Sequence, residues 1–584
     1  MFENSMRSFR PRDCCGESPF RNPSFWIAAL LGTLLSVCVT GYLFAVNNNL
    51  FHLVIVADLF DEPQFIDDLF IQSMRYYAAG PWILLRGSAS WIDPFWLFLA
   101  LFIFSRLLSF IGFLACSHIL GLYGLARQLL FVILVAVTFL MEGTSLAGGG
   151  GLFIEYFGHS EIGNGLFLLV IYAVLRGRVV TALGLVGLTF FVNAFFGVWT
   201  AAVALVLVIY AFGRGEIAGR SLLASATIGS LIAILLAAPV IANILQNPEF
   251  GKPISFDYVD YLRDYDPIHS LFASNRNRFA SKIGLALISF VGLSAFRLGW
   301  PNDRRFTAAL LTCIATYVIG IFAPLVTHSP IVLNLHLLRS STLIHELTAL
   351  ACSALATRWW FDTDHLRRYV LAPCLLFVLS VPPIGGEIKY ALIGLLSAFF
   401  VVAITPKLMA YVRSSFGRWI KERTGLQTIA VLWLAGVVAF DILHSFREAR
   451  KSNAWIAEWH QIGEWARENT DSRSVFLIPF FNYTEVKRQW TESQIGSTYS
   501  IGFEYVSHRR VWVDYKRGAA AMWTPSYYPT WRRRVTEVFA LESIDEQLAY
   551  AQAHGISYVI DIPTSGCQRQ PVFHTARICV YKAG

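Results

Sequence analysis

The stretch "NNNLFHLVIVADLFDEPQFIDDLF", residues 47–70, sets Asp58, Asp61, Glu62, Asp67 and Asp68 among apolar and aromatic residues. A carboxylate aimed into a cavity can act as general base toward a hydroxyl. It can equally hold a divalent cation, Mg or Mn, through its oxygens. Asp58 and Glu62 are four residues apart and would share one face of a helix, where like charges repel. Pro63 breaks that helix. Asp67 and Asp68 then open a second segment that carries Arg75, Tyr76, Tyr77 and Trp82. Being adjacent, Asp67 and Asp68 point in different directions, so at most one is central. These two are preferred as base over Asp58 and Asp61; the competing reading is that all the acids face water.

A second set lies in "GGGGLFIEYFGHSEIGNG", with Glu155, His159 and Glu161. Consecutive glycines let backbone approach a ligand closely. Glu155 and His159, four apart, can meet on one helical turn. Further on, "LNLHLLRSSTLIHEL" carries His336, Arg339, His345 and Glu346. The guanidinium fork of Arg339 suits a lipid-linked phosphate, with a snorkelling interfacial anchor as the alternative. Asn193 and Trp199 in "FFVNAFFGVW" fall near the same interface. The loop 257–278, "DYVDYLRDYDPIHSLFASNRNR", mixes Tyr, Asp and Arg, types that suit carbohydrate or headgroup contacts.

The elements that must position these groups are membrane spans. The chain has 584 residues, 55% hydrophobic and 15% charged, with mean hydropathy +0.52. Soluble domains carry roughly a quarter charged residues. Apolar runs approach the roughly 20 residues that cross hydrocarbon, about thirteen times in all. The first is 24–46, the second 94–122 and the third 128–141; the others lie near 165–175, 179–196, 198–212, 222–245, 283–298, 306–326, 341–357, 369–384, 388–404 and 426–444. The net charge of +8 is distributed as short basic clusters between these runs. Arg127, Arg176 and Arg178, Arg214 and Arg220, Arg297 with Arg304 and Arg305, Arg358 with Arg367 and Arg368, and Lys407 with Arg413, Arg418, Lys421 and Arg423 mark alternate loops. That is the positive-inside pattern, and it speaks for a bilayer and against a nucleic-acid partner. The loop 246–282, with Lys252, Arg263, Arg276, Arg278 and Lys282 balanced by Asp257, Asp260, Asp264 and Asp266, departs from it only locally.

Residues 1–23 then form a cytoplasmic tail, with Cys14 and Cys15 as free thiols or palmitoylation sites. Residues 24–445 form the membrane domain. In its first outer loop, 47–90, "LFHLVIVADLF" and "FIDDLFIQSMRYY" read as amphipathic helices lying in the interface. Residues 446–584 change character. "WIAEWHQIGEWARENT" sets Trp455, Trp459 and Ile462 at helical spacing; "SVFLIPF" and "ISYVIDI" read as buried strands, with the helix "DEQLAYAQAHG" between them. This alternation predicts a small α/β domain, and an odd span count places it outside. Cys38, Cys116, Cys313, Cys352 and Cys374 fall in apolar spans as small hydrophobes. Cys567 and Cys579 in the outer domain predict a disulfide. No spacing suggests zinc.

This plan resembles the GT-C class of integral-membrane glycosyltransferases, and within it a bacterial group of polytopic proteins. The stretches that carry the likeness are "DLFDEPQFIDDLF", "EYFGHSEIGNGLFLLVIYAVLRGR", "LHLLRSSTL" and "WIAEWHQIGEWARENTDSRSVFLIPF". The resemblance implies an all-α polytopic bundle, N-terminus in and C-terminus out, with an extracytoplasmic α/β domain. It implies transfer of a sugar from a polyprenyl-phosphate donor to an envelope glycan or lipid acceptor, at the outer face of the bacterial inner membrane. Arg339 and His159 would steady the departing phosphate, with Glu155, Glu161, His336 and Asn193 lining the substrate. GT-C enzymes usually carry an acid just after the first span, where this chain has Asn47, Asn48 and Asn49. An amide is no base, so Asp58, Asp61, Asp67 or Asp68 takes the role, or the scaffold lacks the chemistry and serves an envelope-assembly complex. A transporter or polymerase is the other alternative. The expected internal repeat is not seen, and the span interiors hold few ionisable residues, with Arg106 and Asp441 as exceptions, so a coupling-ion pathway is not indicated.

Overall fold

The computed structural model describes residues 18–217, 219–274, 278–382, 386–416, 425–480 and 491–584. The tail through Glu17 with Cys14 and Cys15, and also Arg276, Arg418, Lys421 and Arg423, lie outside the described residues. Among the described residues, eight helices are long and apolar enough to cross a membrane: Pro23–Thr40, Pro94–Ile119, Ala194–Gly213, Gly219–Gln246, Phe279–Gly299, Arg305–Val326, Glu387–Ile404 and Gly425–Asn469. Leu125–Val137, Ser160–Leu175 and Val179–Val192 are shorter apolar helices. Local sequence explains their starts. Asp93 accepts from Phe95 N at 2.8 Å and Pro94 follows it, an N-cap with proline in the first turn.

Helix Ser341–Trp360 is buried along nearly its whole length at the centre of the bundle. Small residues bring neighbouring helices together. A Cβ on Gly165 would lie 2.5 Å from the Leu108 backbone carbon, so Pro94–Ile119 and Ser160–Leu175 touch backbone to backbone there. Buried Arg106 and Glu161 join the same two helices at 3.5 Å, and Arg106 also donates to the carbonyls of Leu152 and Ile154. Glu161 is therefore committed to helix packing and does not line a substrate.

The segment 47–90 differs from the interfacial helices that its pattern predicts. It folds as short helical pieces, and all eight residues of the helix Asn49–Val56 are buried. Asp58 takes a left-handed backbone at φ 56° just past that helix, so Asp58 and Glu62 share no helix face. The physical reason is that the loop is apolar on every side and has a partner of its own. Phe51, Phe60, Phe65, Phe70 and Trp82 enter one core with Tyr258 and Tyr261 and with Tyr515 and Trp531 of the C-terminal region. Hydrogen bonds cross the same seam. Tyr261 OH donates to the Gly518 carbonyl at 2.9 Å, Trp523 Nε1 to Ser73 O at 2.9 Å, and Asn334 Nδ2 to Met522 O at 3.0 Å.

Helix Gly425–Asn469 runs unbroken from an apolar half into a polar half, across residue 445. Trp455, Trp459 and Ile462 pack on one face of a five-stranded sheet. Its strands are β1 (Val475–Leu477), β2 (Arg510–Val511), β3 (Tyr558–Asp561), β4 (Phe573–His574) and β5 (Cys579–Lys582), in the order β2-β1-β3-β5-β4. β1 is parallel to β2 and β3; β5 is antiparallel to β3 and β4. A disulfide links Cys567 to Cys579, with the Cα atoms 5.9 Å apart.

At the seam, Glu504 and Arg517 form an ion pair of 2.7 Å, each only 2% exposed, and the Arg517 guanidinium lies 4.6 Å from the Phe70 ring centre. Removing one partner of such a pair strands the other charge, at a cost of about 3–5 kcal/mol. Arg517→Met should lower the thermal unfolding temperature in detergent by that amount of stability. The double change Arg517→Met with Glu504→Gln should recover part of it.

Candidate functional site

Arg339 lies on the turn Leu337–Ser340, which leads directly into the central helix. The four-glycine run packs against this turn. A Cβ on Gly148 would lie 2.1 Å from the Leu338 carbonyl oxygen, and one on Gly150 2.1 Å from Thr342 Oγ1. Only glycine allows that approach. The run thus seats the arginine turn, where the sequence reading had it approach a ligand. Ser145 Oγ and Ser341 Oγ, 2.8 Å apart, tie the two segments.

The Arg339 side chain is half-buried, and its Nε meets no hydrogen-bonding partner among the described residues. Its charge acts on Tyr77, His159, His269, His336 and Lys516. The carboxylate whose charge acts on Arg339 is Asp266. These groups come from five distant parts of the chain.

Asp266 and His269 form a pair across a short turn begun by Pro267. His269 Nδ1 lies 2.8 Å from the Gly148 carbonyl oxygen, which only accepts, so Nδ1 carries a proton. Nε2 faces Asp266 Oδ2 at 3.2 Å. Burial draws the His269 pKa down to about 4, against the pull of Asp266. Near neutral pH the ring is therefore mostly neutral, with its one proton on Nδ1.

Lys516 reaches the cluster from the C-terminal region. Its Nζ donates to Asn47 Oδ1, in the loop between the helices Pro23–Thr40 and Asn49–Val56. Burial pushes its pKa down to about 8, aided by Arg339 and opposed by Asp266 and Asp514. His336 sits between Ser270 Oγ (3.0 Å from Nδ1) and Met522 Sδ (3.4 Å from Nε2), and burial and Arg339 hold it neutral.

His159 is held differently from its expected role. Trp82 Nε1 can only donate, and it points at His159 Nδ1 at 3.2 Å, while an amide nitrogen faces the other ring nitrogen, Nε2. Burial and Arg339 push the pKa down to about 3, so the ring carries no charge near neutral pH. Asn193 lies 3.4 Å from that Nε2 through its amide nitrogen, while its oxygen caps the helix Ala194–Gly213 by accepting from Phe196 N at 3.1 Å. His52, which sequence reasoning passed over, stacks on Trp82 at 4.0 Å beside His159.

The first-loop acids are elsewhere. Asp58 binds Arg86 at 2.9 Å; Asp61 binds Arg86 at 2.6 Å and also Arg75. Glu62 pairs with His508 at 2.7 Å. Asp67 is exposed. Asp68 caps the helix Leu69–Ser73 by accepting from Ile71 N at 3.0 Å, and its charge acts on Arg517 and Arg534. Neither Asp67 nor Asp68 joins His159 and Arg339; Asp266 takes that place. Glu155 is exposed and shares no helical turn with His159, because the helix starts only at Ser160. His345 is spent on backbone, at Leu140 O (2.9 Å) and Leu146 N (3.2 Å). Glu346 is wholly buried, and neither carboxylate oxygen has a hydrogen-bond partner.

Among the described residues, no group of three or more His, Cys, Asp or Glu is arranged to hold a metal. One carboxylate among neutral imidazoles and two cations does not fit Mg or Mn, which take oxygen ligands. The signal for the missed pair was "DPIH", an acid and an imidazole three residues apart across a proline-begun turn.

The chain matches no protein-family model and no curated protein. Fold and site define a class: a chain with eight helices able to cross a membrane, joined to a small mixed sheet, with a cationic cluster at their junction.

Gly148→Ala should displace the arginine turn and cost about 1–3 kcal/mol, as overpacking does. Gly436→Ala, on a helix with nothing within 4 Å of the added carbon, should not. Thermal unfolding of the two variants in detergent checks this.

Proposed function

We propose that the protein transfers a sugar from a polyprenyl-phosphate donor to an envelope glycan or lipid acceptor, at the outer face of the bacterial cytoplasmic membrane. The observation that carries this reading is the company Arg339 keeps: a second cation, a proton-accepting Asp266–His269 pair and neutral histidines, all at the seam of the helical bundle and the C-terminal region. In the reaction the acceptor hydroxyl attacks the anomeric carbon. Its proton passes to the Asp266–His269 pair. The bond between that carbon and the phosphate oxygen breaks, and polyprenyl phosphate leaves. Arg339 and Lys516 meet its charge, and Tyr77 adds a donor.

The thirteen-span topology, N-terminus in and C-terminus out, belongs to this reading. Helices Ser341–Trp360 and Ala372–Leu379, which lie in two of the span ranges, support it beside the eight long and three short apolar helices. The exposed side chains of Leu84 and Trp91 suit headgroup depth on the outer face.

Asp266→Asn should lower transfer by roughly 10²–10⁴-fold, the usual worth of a positioned base. Purified protein in lipid bilayers, given polyprenyl-phosphate sugars labelled in the sugar, tests this by label recovered in glycan or lipid product. Arg339→Ala should also lose retention of the labelled donor. Full activity in Asp266→Asn, with loss instead in Asp67→Asn or Asp68→Asn, would return the base to the first loop. Retention of donor without any product would mark a non-catalytic scaffold.

A further inference from the structure

The helix Asn49–Val56 buries two polar side chains that its contacts do not fully satisfy. His52 is wholly buried, and neither ring nitrogen has a hydrogen-bond partner among the described residues. Asn49, one turn earlier on the same face, donates from Nδ2 to Phe157 O at 3.1 Å and leaves Oδ1 without a partner among the described residues. Ring contacts fix where His52 lies. It stacks on Trp82 at 4.0 Å, with its ring centre 5.5 Å from that of His159 and 6.0 Å from that of Tyr77. Tyr77 and His159 are 5.9 Å apart, so the three ring centres form a compact triangle.

An imidazole left unpaired in this way costs stability, and a phenylalanine would stack on Trp82 as well. A ligand that completes the two nitrogens accounts for them. Burial above all, aided by His159 and Lys516, holds the His52 pKa well below its usual value, so the ring is neutral. A neutral imidazole offers one N–H and one lone pair. An ionised phosphate diester only accepts and would leave the lone pair unmet. A hydroxyl both donates and accepts, and the aromatic rings alongside suit the apolar face of a sugar. We infer that His52 is a binding residue for the sugar part of the donor, its two ring nitrogens meeting sugar hydroxyls beside Trp82, Tyr77 and His159. The sugar enters past Tyr77 and Trp523, half-buried rings in edge contact at 5.1 Å. This rests on the reading of the site as one for sugar transfer.

His52→Phe keeps an aromatic ring on Trp82 and removes both nitrogens. The full-length protein in detergent is titrated with a polyprenyl-phosphate hexose and, separately, with sugar-free polyprenyl phosphate, and retention of each is measured. The hexose is the one that the unaltered protein holds most tightly. The unaltered protein should prefer the sugar-bearing lipid. In His52→Phe that preference should fall about tenfold or more, the worth of one or two hydrogen bonds, while the sugar-free lipid is held as before. The unfolding temperature of His52→Phe should stay level or rise, because two unpaired polar atoms are gone. If His52→Phe does not fold, His52→Leu, smaller and equally apolar, carries the same comparison. A preference that survives in the folded variant, or an equal loss of both lipids, overturns the role of His52. So does an unaltered protein that holds both lipids alike. Retention of neither lipid by the unaltered protein overturns instead the sugar-transfer reading on which that role rests.

Discussion

The segment 47–90 and the C-terminal region share a core, beside the clusters that the C-terminal sheet keeps on its own two faces. Phe51, Phe60, Phe65 and Phe70 from the loop, Tyr258 and Tyr261 from the middle of the chain, and Tyr515 and Trp531 from near its end exclude water from a single volume. Burying side chains of this size stabilises by roughly 1.5–3 kcal/mol each, so each segment holds the others in place. The aromatic hydroxyls and indole nitrogens at the edge of this core find backbone carbonyls across the seam, as such groups must when they leave water. This packing brings Lys516 to Asn47 and within reach of the charges of Arg339 and Asp266.

Charge is managed in two ways at the seam. Glu504 and Arg517 are buried and paired, with Asp68 close by; that arrangement binds the parts together and has no capacity left for a ligand. Arg339 is the opposite case. It stands among neutral histidines and tyrosines, with an Nε that has no hydrogen-bond partner among the described residues, and Asp266, whose charge acts on it, is paired with His269. A cation left partly uncompensated beside a proton acceptor is costly to fold around, and such cost concentrates where a ligand completes the balance. The glycine run contributes by absence. Gly148 and Gly150 have no side chains, so the loop lies flat against the turn that carries Arg339.

The acids of the first loop illustrate how a sequence can mislead. Five carboxylates within a short stretch suggest a reaction centre, yet Asp58 and Asp61 meet Arg86, Glu62 meets His508 and Asp68 caps a helix. Four of the five thus have a local or cross-seam partner, and Asp67 is exposed. Asp266 was counted only in the charge balance of its loop, because the histidine beside it and the cations opposite it give meaning to its position only once the chain is folded.

Sequence alone determined the apolar helices, since length and hydropathy act locally and a run of about 20 apolar residues has few other fates. It determined the change of character near residue 446, the helical face of Trp455, Trp459 and Ile462, and the strands β1 and β3, all read from short-range periodicity. It marked Arg339, His159, His336 and Asn193 as worth watching. Tertiary structure alone decided which of them meet. Lys516 and Asn47 are separated by 469 positions, and Ser145 and Ser341 by 196. Contacts at that range depend on how distant apolar faces share a core, and no local pattern encodes the address of the partner.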